Sequence, residues 1–179
     1  ETLSGTMAAL TSGQADLALG VALGQHMAAD IQHLALGEVA FVFAVAPQHP
    51  LAIAAEPLSD AQLVPHRMVA VADSVQRGSG LTVGLQGGQD VFTVPDMASK
   101  LQAQLRGLGA GFLPQSLAEP YVKQGLLVVK KTDQSRLSPV HAAWRDSRLS
   151  PAGHALLWWT AQLDKPATRL ALLQKMHAA

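Results

Sequence analysis

The chain has 179 residues, 49% of them apolar and 15% charged, which is enough to bury a core and too apolar for a disordered segment. Lys plus Arg and Asp plus Glu number 13 each, so the balance favours no polyanion, and Lys130-Lys131 is the one basic pair that stands out. Cysteine is absent, which excludes disulfides and thiolate chemistry, and no run of roughly 18 apolar residues marks a membrane span.

In chain order, Glu1 to Ser12 places Leu3, Met7 and Leu10 at helical spacing, and Gly13-Gln14 ends that predicted helix. Ala15 to Gly20 predicts a buried strand with Asp16 at its head, where capping or pairing is the ordinary role. Gly20 to Asp30 reads as loop. Ile31 to Pro47 carries two β-type stretches, with a turn predicted at Gly37-Glu38. From Val39 to Ala46 both faces are apolar, as in a strand buried on both sides. Pro47-Gln48-His49-Pro50 then breaks the strand, because a residue before proline is held extended. His49 is expected to hold the chain there by a hydrogen bond, since no nucleophile or carboxylate stands at catalytic spacing from it.

Ser59 to Leu63 opens a helix, Arg67 to Ala72 predicts a strand, and Asp73 to Gly80 a loop at its C-terminal end. Leu81 to Leu85 reads as a further strand and Gly87 to Asp90 as a turn. Val91 to Val94 is a short β-run ending at Pro95-Asp96, read as the first residue and first-turn acid of a helix. Met97, Leu101, Leu105 and Leu108 give that helix an apolar stripe, and Gly107 and Gly109 stop it. Ala110 to Pro114 predicts a buried strand, Gln115 to Gln124 a helix closed by Gly125, and Leu126 to Val129 another strand. Such alternation predicts parallel strands with right-handed helical crossovers. Lys130 to Ser138 is polar, and Pro139 to Arg145 is a strand. Ser150 and Pro151 read as cap and first residue of a helix that buries Ala155, Leu156, Trp159 and Leu163. Asp164-Lys165-Pro166 breaks it, and Ala167 to Met176 adds an amphipathic helix.

The chemistry of this pattern is binding. G-x-S-x-G, H-E-x-x-H and G-x-x-x-x-G-K-[ST] are all missing. Gly107, Gly109 and Gly111 follow a helix and open a strand, the reverse of a dinucleotide fingerprint. The seven histidines show no ligand spacing, so neither a metal nor a cofactor is expected.

Four motifs in one order resemble the effector-binding domain of LysR-type transcriptional regulators. They are Leu10-Thr11-Ser12-Gly13-Gln14-Ala15-Asp16-Leu17-Ala18-Leu19-Gly20, Val45-Ala46-Pro47-Gln48-His49-Pro50-Leu51-Ala52, the helix running into Gly107 to Pro114 with Gly125 and its apolar strand beyond, and Ser150-Pro151-Ala152-Gly153. The resemblance implies an α/β fold of two Rossmann-like subdomains joined by two crossover strands, type II periplasmic-binding-protein-like. Residues 1–46 with 137–179 would form the first subdomain, without the family's first strand-helix-strand, and 47–136 the second. It further implies a cytoplasmic, non-membrane homodimer or homotetramer that meets DNA only through a winged helix-turn-helix domain absent from this sequence. Its partner would be a small-molecule effector, an organic acid or other metabolite, held in the cleft between subdomains.

Ligands of open α/β sheets sit at the C-terminal ends of strands. The cleft candidates are therefore Ala72, Asp73 and Ser74 after one strand, Thr93 and Val94 at the end of the next, and Thr2 and Ser4 facing them from the first helix. Pro47 and His49 mark the hinge. The alternatives are a solute-binding protein of an ABC-type importer, which would carry an export signal or lipidated cysteine, and an enzyme on the same scaffold, which would need a catalytic constellation.

Overall fold

The computed structural model describes residues 4–21, 23, 29–73, 85, 87–133, 136–145 and 153–175. Its spine is a 15-residue strand, β2 (Ile31–Val45), preceded by α1 (Ser4–Thr11) and β1 (Leu17–Val21). A short 3-10 turn (Pro50–Ile53) leads to α2 (Asp60–Leu63), β3 (Met68–Val71) and β4 (Val91–Val94). Then come α3 (Met97–Leu105), β5 (Gly111–Pro114), α4 (Gln115–Lys123), β6 (Val128–Lys130), β7 (Arg136–Arg145), α5 (His154–Leu163) and α6 (Pro166–Lys175).

The two halves of β2 have different neighbours. Its N-terminal part pairs antiparallel with β7, from Ile31↔Arg145 to Phe41↔Arg136, and β1 extends the sheet beyond β7. Its C-terminal part lies between β5, from Phe41↔Pro114 to Ala44↔Gly111, and β6, from Phe43↔Lys130 to Val45↔Val128. The expected turn at Gly37-Glu38 is therefore a register shift inside one strand, between Ala35 and Gly37. Gly37 has φ +148°, and Leu173 Cδ1 of α6 would lie 2.6 Å from a Cβ placed there. A glycine bulge that lets a helix close on the strand looks like a turn in sequence.

β3 and β4 are parallel, and β3 meets the chain just before β5. There Val69 N–H donates to Ala110 O at 2.8 Å, and Ala110 N–H donates to Arg67 O at 2.9 Å. β4, β5 and β6 thus run in one direction, as the alternation predicts. The strand threaded antiparallel between β5 and β6 is the feature that alternation does not reveal.

Helix α3 begins at Met97, two residues later than the sequence suggests. Asp96 is its N-cap and not a first-turn residue, with Oδ1 accepting from Ser99 N–H at 2.7 Å. This bond holds the Asp96 carboxyl below its ordinary pKa of 3.8, and the Ser99 hydroxyl adds to the effect. Asp96→Ala is expected to lower the melting temperature at pH 7. A depressed folded-state pKa means this contribution exists above the unfolded value and fades as the pH falls through the folded one. Melting curves of both chains at pH 7 and pH 2 check it, and an equal gap at the two pH values would count against the cap.

Of the expected stripe on α3, Leu101 is buried and Met97 and Leu105 pack beside it, but Leu108 lies past the helix end and is 47% exposed. The helix instead buries Lys100, Ala103 and Gln104. Gly107 takes φ +71° at the turn out of the helix. On α5 Leu163 is buried and Leu156 and Trp159 half-buried, while Ala155, expected inside, is exposed. Ser150, Pro151 and the strand expected at 81–85 fall outside the described residues, except Leu85. Leu172 and Leu173 of α6 pack with Leu36, Val39, Val140 and Leu163, so the last helix covers the β2–β7 sheet.

Candidate functional site

The parallel pair β3–β4 brings two strand ends side by side. Ala70 lies opposite Thr93 and Val71 opposite Val94, and Ala72 N–H donates to Val94 O at 2.8 Å. Val94 turns its side chain into a core cluster with Val69 and Ala103, so it contributes backbone to this edge. Thr93, one residue earlier and on the opposite face, is exposed. Ala72 and Asp73 are half-buried.

Ser4 arrives at this edge from the start of α1. Its hydroxyl donates a short hydrogen bond to Asp73 Oδ2 across 69 residues of sequence. Ser4, Ala72, Asp73, Thr93 and Val94 are thus collected at the C-terminal end of β3 and β4. Thr2 and Ser74 lie outside the described residues.

Where β2 leaves the sheet, Pro47 is exposed and His49 half-buried. His49 N–H donates to Ala46 O at 3.0 Å, and its Nδ1 accepts from Leu51 N–H at 3.1 Å. Burial, and then the neighbouring His66 ring 5.0 Å away, pull its pKa below 6.5. A neutral imidazole at neutral pH is what an accepting Nδ1 requires. At the start of β7, the Arg136 guanidinium sits 4.0 Å over the Phe112 ring.

Lys100 and Gln104 belong to no functional motif in the sequence. Both are buried on α3 against Gly111 of β5 and Val69 of β3, although Lys and Gln are ordinary helix-surface residues. A signal exists: they stand three and seven positions after Met97, on the stripe that the leucines define. Among the described residues, no cluster of three His, Cys, Asp or Glu side chains could hold a metal.

Strand ends, a helix start and two crossings in this arrangement define a two-lobed α/β ligand-binding domain of the type II periplasmic-binding-protein kind. The model of the LysR substrate binding domain matches residues 1–164, and the chain belongs to that family, the effector-binding domain of LysR-type transcriptional regulators. It is 36% identical over 162 residues to the HTH-type transcriptional regulator YeeY of Escherichia coli, covering 90% of this chain and 52% of that one. It is 38% identical over 112 residues to the HTH-type transcriptional activator AllS of Klebsiella pneumoniae, covering 63% and 42%. The chain spans about half the length of the curated relatives it matches.

Among solved structures it resembles the full-length regulator LysG of Corynebacterium glutamicum with bound effector Arg (TM-score 0.66, 18% identity, 96% of this chain and 57% of that one). It also resembles the regulatory domain of MetR from N. meningitidis (TM-score 0.65, 19% identity, 92% and 75%). These likenesses concern the fold. The importer alternative finds no support, and the curated relatives are transcriptional regulators and not enzymes. No helix among the described residues is long and apolar enough to cross a membrane.

Proposed function

We propose that this chain senses a small-molecule effector, an organic acid or related metabolite, on behalf of a DNA-binding regulator, without catalysing a reaction of its own. The observation that carries the reading is the Ser4–Asp73 hydrogen bond, which ties the start of α1 to the end of β3. With residues 1–46 and 137–179 as one lobe and 47–136 as the other, that bond crosses between lobes. The chain passes between them at Pro47–His49 and again after Arg136. Effector bound against Ala72, Asp73, Thr93 and Val94 would exchange with the Ser4 contact and favour one lobe angle. Such coupling is limited by the effector's difference in affinity for the two arrangements, typically 1–3 kcal/mol.

In the intact regulator this change would reorient DNA-binding parts that belong to another segment, within a homodimer or homotetramer in the cytoplasm. The test is a thermal-shift screen of the chain against organic acids and central metabolites. Effector at 100 times its Kd adds about 2.7 kcal/mol of stability, a rise of several degrees. With a hit in hand, Asp73→Ala and Thr93→Ala should each weaken binding about tenfold, the loss of one good hydrogen bond. Unchanged affinity in both variants would place the effector elsewhere.

A further inference from the structure

Two lysines among the described residues are buried, Lys100 at 8% exposure and Lys130 at 9%. Lys130 is matched: its ammonium donates to Ala54 O at 2.8 Å and Ala52 O at 3.4 Å and lies 3.4 Å from the Glu56 carboxylate. Lys100 has no such company. Among the described residues no acceptor or carboxylate meets its ammonium, and the charge that acts on it is another cation, Arg136. One turn further on, Gln104 is fully buried with neither its amide nitrogen nor its oxygen hydrogen-bonded.

The two side chains converge. A Cβ on Gly111 would lie 2.6 Å from Gln104 Nε2, 3.2 Å from Lys100 Cε and 3.1 Å from Val69 O. Glycine in β5 therefore makes room for a polar pair on the buried face of α3. Phe112, the next residue, turns to the opposite face and carries Arg136 over its ring, with Asp60 drawing on that guanidinium. Cations thus flank β5 on both sides, and among the described residues only Arg136 has a carboxylate acting on it. A buried ammonium without a counter-charge is strongly unfavourable, and an amide with both ends unbonded adds to the cost.

We propose that the buried face of α3 over Gly111 recognises a small anion, a halide or a carboxylate, with the Lys100 ammonium and the Gln104 amide N–H as its donors. One negative charge on a compact ion matches one ammonium. The Gln104 oxygen then takes a hydroxyl donor, so a 2-hydroxycarboxylate satisfies both ends of the amide and a halide satisfies one. Val69, whose carbonyl shares the Gly111 corner with Lys100, lies three residues before Ala72 on the same chain segment, so the anion site adjoins the strand that ends in the proposed effector edge. The carboxylate source rests on the effector reading above, and the halide source does not.

The experiment titrates unfolding midpoints of the wild type, Lys100→Met and Gln104→Leu with sodium bromide, acetate and lactate at constant ionic strength. Wild type should be stabilised, by lactate at lower concentration than by acetate. Gln104→Leu should need about tenfold more anion, and Lys100→Met should respond to none. A response to bromide as well, with an anomalous diffraction peak against Lys100 Nζ in bromide-soaked crystals, assigns the site to small anions at large. A response to the carboxylates alone assigns it to a ligand's carboxylate. If wild type responds to none of the three, or Lys100→Met and Gln104→Leu respond as wild type does, the site is overturned. The metabolite screen then still decides the effector reading by itself.

Discussion

Lys100→Met is expected to stabilise the chain by about 2–3 kcal/mol at pH 7 in a buffer free of halide and carboxylate. Burial first, and repulsion by Arg136 second, push the Lys100 pKa from 10.5 down to about 8. A shift of that size corresponds to roughly 3 kcal/mol against the charged folded form. Below pH 8 the folded and unfolded chains both carry the proton, so the penalty is complete. Between about 8 and 10.5 the folded chain has shed a proton that the unfolded chain keeps, so unfolding takes one up and stability climbs with pH. Above 10.5 the climb ends. Methionine fills similar volume with no charge, and replacing a buried charge by a well-packed apolar group is often stabilising by about 1–4 kcal/mol. Urea unfolding of both chains at pH 7, 8, 9 and 10 should show the variant ahead at pH 7 and the gap closing toward pH 10. A variant weaker than wild type by the same amount at every pH would mean that the ammonium has a counter-charge in the folded chain, and the anion proposal would fall with it.

Much of this frame is legible from residue order. The β4–α3–β5–α4–β6 alternation follows from apolar runs punctuated by Gly107 and Gly125, both of which take φ +71°. The grouping of Ala72, Asp73 and Thr93 follows from the rule that ligands meet strand ends, although the hydrogen bond that joins Ser4 to Asp73, 69 residues apart, needs the fold. Local pattern cannot show what lies between two strands. β5 and β6 look like sheet neighbours until β2 passes between them. Gly37 misleads because a bulge and a turn both call for glycine. Lys100 and Gln104 escape notice because their side chains are polar, although their spacing from Met97 puts them on the stripe with Leu101 and Leu105. Burial of a polar side chain depends on what packs over it, here a strand that reaches α3 only through tertiary contact.

Gly109→Ala should cost about 2–4 kcal/mol and weaken effector binding along with stability. Its φ is not the reason, because Gly109 is not among the positive-φ glycines. A Cβ there would lie 2.8 Å from Arg67 O and 3.0 Å from Val69 Cγ2. The first neighbour is backbone, and it cannot swing aside as a side-chain tip could. Arg67 O also accepts the Ala110 N–H, and Ala110 O accepts from Val69 N–H, so the displaced carbonyl belongs to the seam that joins β3 to β5. Overpacking of this kind costs about 1–3 kcal/mol, and a strained seam bond adds about 1. β3 ends in Ala72 and Asp73, so a shift at its start is carried to the ligand edge. Gly87→Ala is the matched control: nothing lies within 4 Å of its Cβ and its φ is unremarkable, so its unfolding midpoint should stay near wild type. Gly125→Ala should fall between the two, since its Cβ meets nothing within 4 Å but φ +71° disfavours a side chain by about 1 kcal/mol. Urea midpoints in the order Gly87→Ala, Gly125→Ala, Gly109→Ala would establish the seam as the joint that positions the site. A Gly109→Ala chain as stable as Gly87→Ala would show that β3 and β5 can part there without consequence, and that the strand ends are held by something else.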